Sequence, residues 1–189
     1  ANRVNMGLSA RPYLMAATVP LSILKNRFPA IPQEEQKTLF AQTDGLLAKA
    51  LRQNSRFAAA WYHRGELARL VNPSVLPENY PKAEDSFAKA LAIDPLHLPA
   101  RVALAEIRQA SGDDKAALDL LAAGLRWPYP VFDALPYFEK TMALAKCLGR
   151  GDIAEQAEQA RYIHITRLAS AEKQRRALDA LKEDGLFLP

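Results

Sequence analysis

The sequence lacks most of the residue patterns that carry catalysis or metal binding. Its single cysteine, Cys147, excludes an intramolecular disulfide and a multi-cysteine zinc site, and its apolar surroundings predict a buried, unreactive thiol. The three histidines, His63, His97 and His164, lie far apart with no partner at ligand spacing. There is no glycine-rich phosphate loop and no nucleophile elbow. We therefore expect no metal, no cofactor and no catalytic residue in this chain.

Long apolar runs are also missing. The longest uncharged stretch, residues 12–24, has thirteen residues and is interrupted by Pro20. A membrane-spanning helix needs about 20 apolar residues, so we expect no span here. The chain starts at Ala1 without a methionine and shows no signal-peptide pattern, which predicts a piece excised or processed from a longer protein.

Positive charge is present but not concentrated. The formal net charge is +4. Residues 1–70 carry ten Lys and Arg against four Asp and Glu, a balance of +6, and residues 71–189 carry fifteen against seventeen, a balance of −2. A nucleic-acid surface clusters its basic residues to neutralise phosphates. The spread-out excess disfavours nucleic acid as a partner and favours a solvated basic surface.

What the sequence does contain is helix-forming residues in a repeating pattern. Alanine and leucine dominate, and both lose little side-chain freedom in a helix. The pattern A-x3-F-x2-A-L at residues 83–91 recurs 34 positions later with Leu and Gly substituted, and a shorter form lies 40 positions earlier. The six additional residues come from residues 72–80, where Pro73 and Pro77 forbid a regular helix. We predict a surface loop there that can be shortened at little cost in stability.

These units resemble the tetratricopeptide repeat, whose signature is W-x2-L-G-x2-Y, then A-x3-F, then P. The residues of the first clear repeat that match are Trp61, Gly65, Ala83, Phe87, Ala90 and Pro95. Those of the second are Leu104, Ala105, Gly112, Asp113 and Ala117, with Gly112 and Asp113 at the turn between two helices. The resemblance implies an all-α fold, namely a right-handed α-α superhelix of helical hairpins that ends in a C-terminal capping helix.

We predict a single domain over residues 1–189, built from four parts. The parts are a degenerate N-terminal hairpin at 1–57, the first clear repeat at 58–97 with its insertion at 72–80, the second clear repeat at 98–130, and a degenerate hairpin plus capping helix at 131–189. Small residues at Gly65 and Ala105 would let paired helices approach closely. Trp61 and Phe87 would fill the space between neighbouring hairpins, so both are predicted to be buried.

Tetratricopeptide proteins bind protein or peptide partners in a concave groove lined by the first helix of each hairpin. On this sequence the corresponding positions are Tyr62, Glu66, Arg69, Val102, Glu106 and Gln109. Tyr62 would be a rigid aromatic anchor of the kind found at interface hot spots. Glu66 and Glu106 would repel a peptide carboxylate and attract a basic flank. The resemblance thus predicts a non-catalytic interaction module, or scaffold, with a protein or peptide partner.

A narrower resemblance gives a second hypothesis. Residues 90–96 and 124–128 are similar to repeat tails of bacterial O-antigen polymerase or ligase-type membrane proteins. On that hypothesis the chain is an accessory cell-envelope domain, whose catalytic part lies in a membrane region outside this sequence. Such tails often face the periplasm, whereas positive charge beside a span, as in the first third here, favours the cytoplasm. The compartment therefore stays open between these two.

Overall fold

A computed structural model describes residues 5–27, 30–127, 129 and 134–183. The described residues form helices and contain no strand, which confirms the all-α fold class. The helices are α1 (Asn5–Arg27), α2 (Gln33–Gln53), α3 (Ala58–Leu70), α4 (Ala83–Ile93), α5 (Leu98–Ala110), α6 (Asp114–Ala122), α7 (Leu135–Cys147) and α8 (Gly151–Glu183). None of these helices is long and apolar enough to cross a membrane.

The chain divides into two compact units, residues 1–107 and 108–189. The single domain, its four parts and the right-handed superhelix stay predictions. Pro128 and residues 130–133, at the border of the second predicted repeat, lie outside the described residues, as do residues 184–189 of the predicted capping helix.

In the first unit, α1 packs on α2, α2 on α3, and α3 on α4. Pro12 and Pro20 lie inside α1, where each removes a backbone donor. The helix nevertheless buries one apolar face against α2. The core shared by α1, α2 and α3 includes Ala17, Leu21, Leu24, Leu39, Phe40, Leu47, Ala60 and Leu67.

The hairpin of α3 and α4 closes on Phe87, which is 0% exposed. Its burial confirms the prediction, but the ring lies within the hairpin, against Gly65 of α3, and not in a space between hairpins. Trp61 is only half-buried, so the prediction of its burial is wrong. Its Nε1 donates to the Ser55 carbonyl at 2.9 Å, and Lys89 Nζ lies 4.5 Å from the ring centroid. The Trp61 ring therefore has polar partners at the surface.

The segment at residues 72–80 does connect α3 and α4 at the surface, as predicted, but it is not a detached loop. It contains a 3-10 turn at Pro73–Val75 and packs on α2. The Tyr80 hydroxyl donates to Asp44 Oδ1 at 2.9 Å, and the Tyr80 ring lies 5.1 Å from that of Phe40. Because these contacts join the segment to the core, we expect shortening it to be costly, contrary to the expectation from sequence.

In the second unit, α7 packs against both α6 and α8. Gly112 has φ +82° and Asp113 Oδ1 accepts from the Ala116 amide at 3.0 Å, so the predicted turn before α6 is confirmed. The Tyr137 hydroxyl donates to the carbonyl of Leu121 and ties α7 to α6. The core of this unit consists of Ala117, Leu118, Leu121, Tyr137, Phe138, Ala145, Ala154 and Ala157, among others.

Cys147 contradicts its sequence-based prediction. It is the last residue of α7 and is exposed. The apolar run before it is interrupted on the solvent side by Lys146, also exposed, and is buried only at its Leu144 and Ala145. The run of apolar letters therefore continued past the point at which the helix leaves the core.

Candidate functional site

Three of the predicted binding residues lie on one face of α3. Tyr62, Glu66 and Arg69 follow one another at intervals of four and three residues, the spacing that stacks side chains along a helix. Glu66 is buried at 9% exposure, Tyr62 is half-buried and Arg69 is exposed. The helical period therefore places an aromatic, an anionic and a cationic side chain in a line.

Charged side chains from α1 and α5 extend this line. Lys25 Nζ of α1 lies 3.5 Å from Glu66 Oε2, and Arg69 Nη1 lies 3.7 Å from Glu66 Oε1. Arg69 Nη1 also lies 3.4 Å from Glu106 Oε2 of α5. We call Lys25, Glu66, Arg69 and Glu106 the ionic row. Its signs alternate, so its formal charges cancel, and it contains the first helix of each of three successive helix pairs.

The structure thus brings together four of the six predicted residues, namely Tyr62, Glu66, Arg69 and Glu106. Val102 and Gln109 are half-buried on α5, and Gln109 belongs to the second compact unit. Sequence reasoning missed Lys25. It lies 41 residues before Glu66, in the segment where the repeat signature is weakest, so spacing alone gave no signal for the contact.

Tyr62 is packed against rings of its own chain. Its ring centroid lies 5.1 Å from that of His63, 5.8 Å from Phe87 and 5.0 Å from His97. Burial, and next the negative charge of Glu66, raise the pKa of Tyr62 to about 12. The hydroxyl therefore stays protonated at neutral pH and can donate, while part of the ring area is already used within the chain.

The two histidines beside Tyr62 are held neutral. Burial, followed by the neighbouring His97 and Lys25, lowers the pKa of His63 to about 4. Burial also lowers the pKa of His97, against the opposing effect of Asp94. His97 Nδ1 accepts from the Ala100 amide at 3.2 Å and so caps the first turn of α5.

The chemistry available on this surface is recognition of charge and of apolar groups. Glu66 has a side chain only 12% exposed, and removing its cationic partners would leave a largely buried carboxylate. Arg69 and Glu106 are more open, with side chains 38% and 39% exposed, so their ion pair is screened by water and weak. Within the described part of the chain, no three His, Cys, Asp or Glu residues are grouped so that they could hold a metal ion.

Comparison with known proteins gives one family match. Residues 76–128, which include α4, α5 and α6, match the model of a tetratricopeptide repeat. A search of curated proteins found no relative that matches this chain. Tetratricopeptide repeats generally mediate protein–protein interaction and are typically non-catalytic scaffold modules. The narrower resemblance to O-antigen polymerase or ligase tails stays a prediction.

Proposed function

We propose, on the premise that residues 76–128 are a tetratricopeptide repeat, that this chain binds a protein or peptide through the surface that carries the ionic row. The contact between Arg69 of α3 and Glu106 of α5, at 3.4 Å, is the observation that best supports it. It indicates that the first helices of adjacent repeats present their charged side chains side by side. A ligand can therefore contact both helices at once.

The ionic row favours a ligand with a basic flank. An ammonium or guanidinium group from a peptide can replace Arg69 at Glu106 at little cost, because the existing pair is exposed and weak. Glu66 gains from any additional cation because its carboxylate is largely buried. A peptide carboxylate, in contrast, would meet two glutamates. Apolar contact would come from Val102 and from the part of the Tyr62 ring that is not packed within the chain.

The test begins with short random peptides displayed on phage and selected against the full chain. The Kd of a selected peptide is then measured by fluorescence anisotropy for wild type and for the double variant Glu66→Gln, Glu106→Gln. Amide for carboxylate keeps the side-chain shape and removes both negative charges. We expect affinity to fall at least about ten-fold, equivalent to 1.4 kcal/mol. The affinity of wild type should also fall with added salt.

A matched control removes the same charge elsewhere. Glu155 and Glu158 are exposed on α8, so Glu155→Gln with Glu158→Gln changes net charge equally without touching the ionic row. This control should bind as wild type does. Selected peptides without basic residues, or equal affinity of a folded Glu66, Glu106 double variant, would contradict the proposal. Circular dichroism of each variant separates loss of binding from loss of fold.

A further inference from the structure

The second compact unit contains a cavity of about 400 Å³. It lies between the end of α6, residues 125–129, α7 and α8. This volume is within the range of pockets that hold small organic ligands. The cavity is remote in sequence from the ionic row, and neither the tetratricopeptide match nor the proposed function assigns it a role.

Two buried nitrogen atoms at this cavity have no hydrogen-bond partner within the described part of the chain. His164 lines the cavity and is 5% exposed, and its Nε2 is buried and unpaired. Trp127 Nε1 is buried and unpaired as well. An indole N–H can only donate, so it requires an acceptor. Buried polar groups are almost always satisfied in native proteins, and an unpaired donor in a cavity therefore points to a bound acceptor.

The charge at the cavity is positive. Arg126 and Arg167 both line it, and the described lining residues include no carboxylate. The Arg126 guanidinium lies 4.9 Å from the Trp127 ring centroid, which holds this cation beside the unpaired indole N–H. Guanidinium groups bind carboxylates through paired hydrogen bonds. The acceptor that the unpaired donors require is therefore favoured to be an anion.

The rest of the lining is apolar and aromatic. Leu125, Phe138 and Ile163 line the cavity, and the His164 and Phe138 ring centroids lie 5.6 Å apart. Tyr129, only 5% exposed, lies edge-on to Phe138 at 6.5 Å between centroids. Inorganic anions would leave this surface unused. An apolar body attached to the anion would cover it and remove it from water.

From these observations we propose that the cavity is a binding site for a small organic carboxylate with an apolar body. The carboxylate pairs with Arg126 or Arg167 and accepts from Trp127 Nε1, and His164 Nε2 supplies a further polar contact. The apolar body lies against Phe138 and Ile163. The site is independent of the ionic row, so binding here and peptide binding there can fail separately.

Trp127 provides a direct reporter. The chain has two tryptophans, so Trp61→Phe leaves Trp127 as the only source of indole fluorescence. The probes are hydrocinnamate and its neutral amide, which share the same apolar body and differ in charge. We expect hydrocinnamate to change the Trp127 emission saturably, and the amide to bind at least about ten-fold more weakly. Calorimetry on the wild-type chain repeats the comparison without any substitution.

Two variants locate the site. Arg167→Gln should weaken hydrocinnamate binding about ten-fold, and His164→Leu, which removes the buried nitrogen and keeps an apolar side chain, should weaken it several-fold. Arg176→Gln is the matched control, because Arg176 is an exposed arginine of the same helix outside the cavity and should leave binding unchanged. Circular dichroism checks that each variant is folded.

Three results would overturn the proposal. The first is the absence of saturable binding of hydrocinnamate in both fluorescence and calorimetry, which would indicate a cavity filled by water alone. Equal affinity for the acid and the amide would exclude recognition of the anion. Equal loss of binding in the Arg167 and Arg176 variants would show attraction by overall charge rather than a site.

Discussion

The ring of Phe87 on α4 occupies the place where a side chain at position 65 of α3 would begin. A Cβ built on Gly65 would stand 2.6 Å from Phe87 Cε1 and 2.8 Å from its Cδ1. Phe87 is 0% exposed, so its ring has no open space into which it could turn. The glycine and the phenylalanine of the repeat signature are thus two halves of one contact, and the distance between the helices depends on both.

Gly65→Ala should therefore destabilise the chain. Alanine gains about 1 kcal/mol in intrinsic helix propensity, but overpacking a buried contact costs about 1–3 kcal/mol or more. We expect a net loss of roughly 1–2 kcal/mol in the free energy of unfolding, measured by urea denaturation. Gly45→Ala is the control, since Gly45 also lies in a helix and a Cβ there would meet no atom within 4 Å. A stabilised Gly65→Ala variant would refute the contact.

The two aromatic residues of the first repeat should differ in cost. Phe87→Ala removes a fully buried ring and should cost about 3–5 kcal/mol. Trp61→Ala removes a half-buried ring and should cost less, about 2–3 kcal/mol, because part of its area stays in water in the folded state. Urea midpoints of the two variants decide the order. A larger cost for Trp61 would show that its ring is buried after all.

The segment at residues 72–80 should contribute to stability through Tyr80. Tyr80→Ala removes the ring contact with Phe40 and the hydrogen bond to Asp44, and should cost about 2–3 kcal/mol. Tyr80→Phe, which removes only the hydrogen bond, should cost about 1 kcal/mol. The exposed Glu78 in the same segment serves as control, and Glu78→Ala should be near neutral. If all three variants unfold at the same urea midpoint, the segment does not hold α2.

Stability should fall in acid in part because of His63. Its pKa is lowered from 6.5 to about 4 on folding, so at pH values between these two the unfolded chain takes up a proton that the folded chain refuses. Its contribution is complete above about pH 6.5 and is lost progressively as the pH falls to about 4. His63→Gln should make the urea midpoint less dependent on pH across this window. An NMR titration midpoint of the His63 ring near 6.5 would contradict the prediction.

The sequence by itself determined the helical class, the hairpin spacing and the turn at Gly112. These features depend on local physics, namely helix propensity, the residues that end helices, and the period that places Ala83 and Phe87 on one side of α4. The 34-residue spacing repeats such local rules, so it could be read without coordinates. It also placed Tyr62, Glu66 and Arg69 on one face of α3, because the helical period decides which side chains align.

Only the tertiary structure decided what those side chains meet. The pairing of Glu66 with Lys25, and of Tyr80 with Asp44, joins residues 41 and 36 positions apart, and no local rule selects such partners. The half-exposure of Trp61 depends on how adjacent helices cover each face, which the sequence pattern does not specify. The cavity at His164 likewise exists because α6, α7 and α8 leave a space between them. A repeat motif fixes which residues approach within a hairpin, whereas burial and charge pairing depend on the packing of segments distant in the chain.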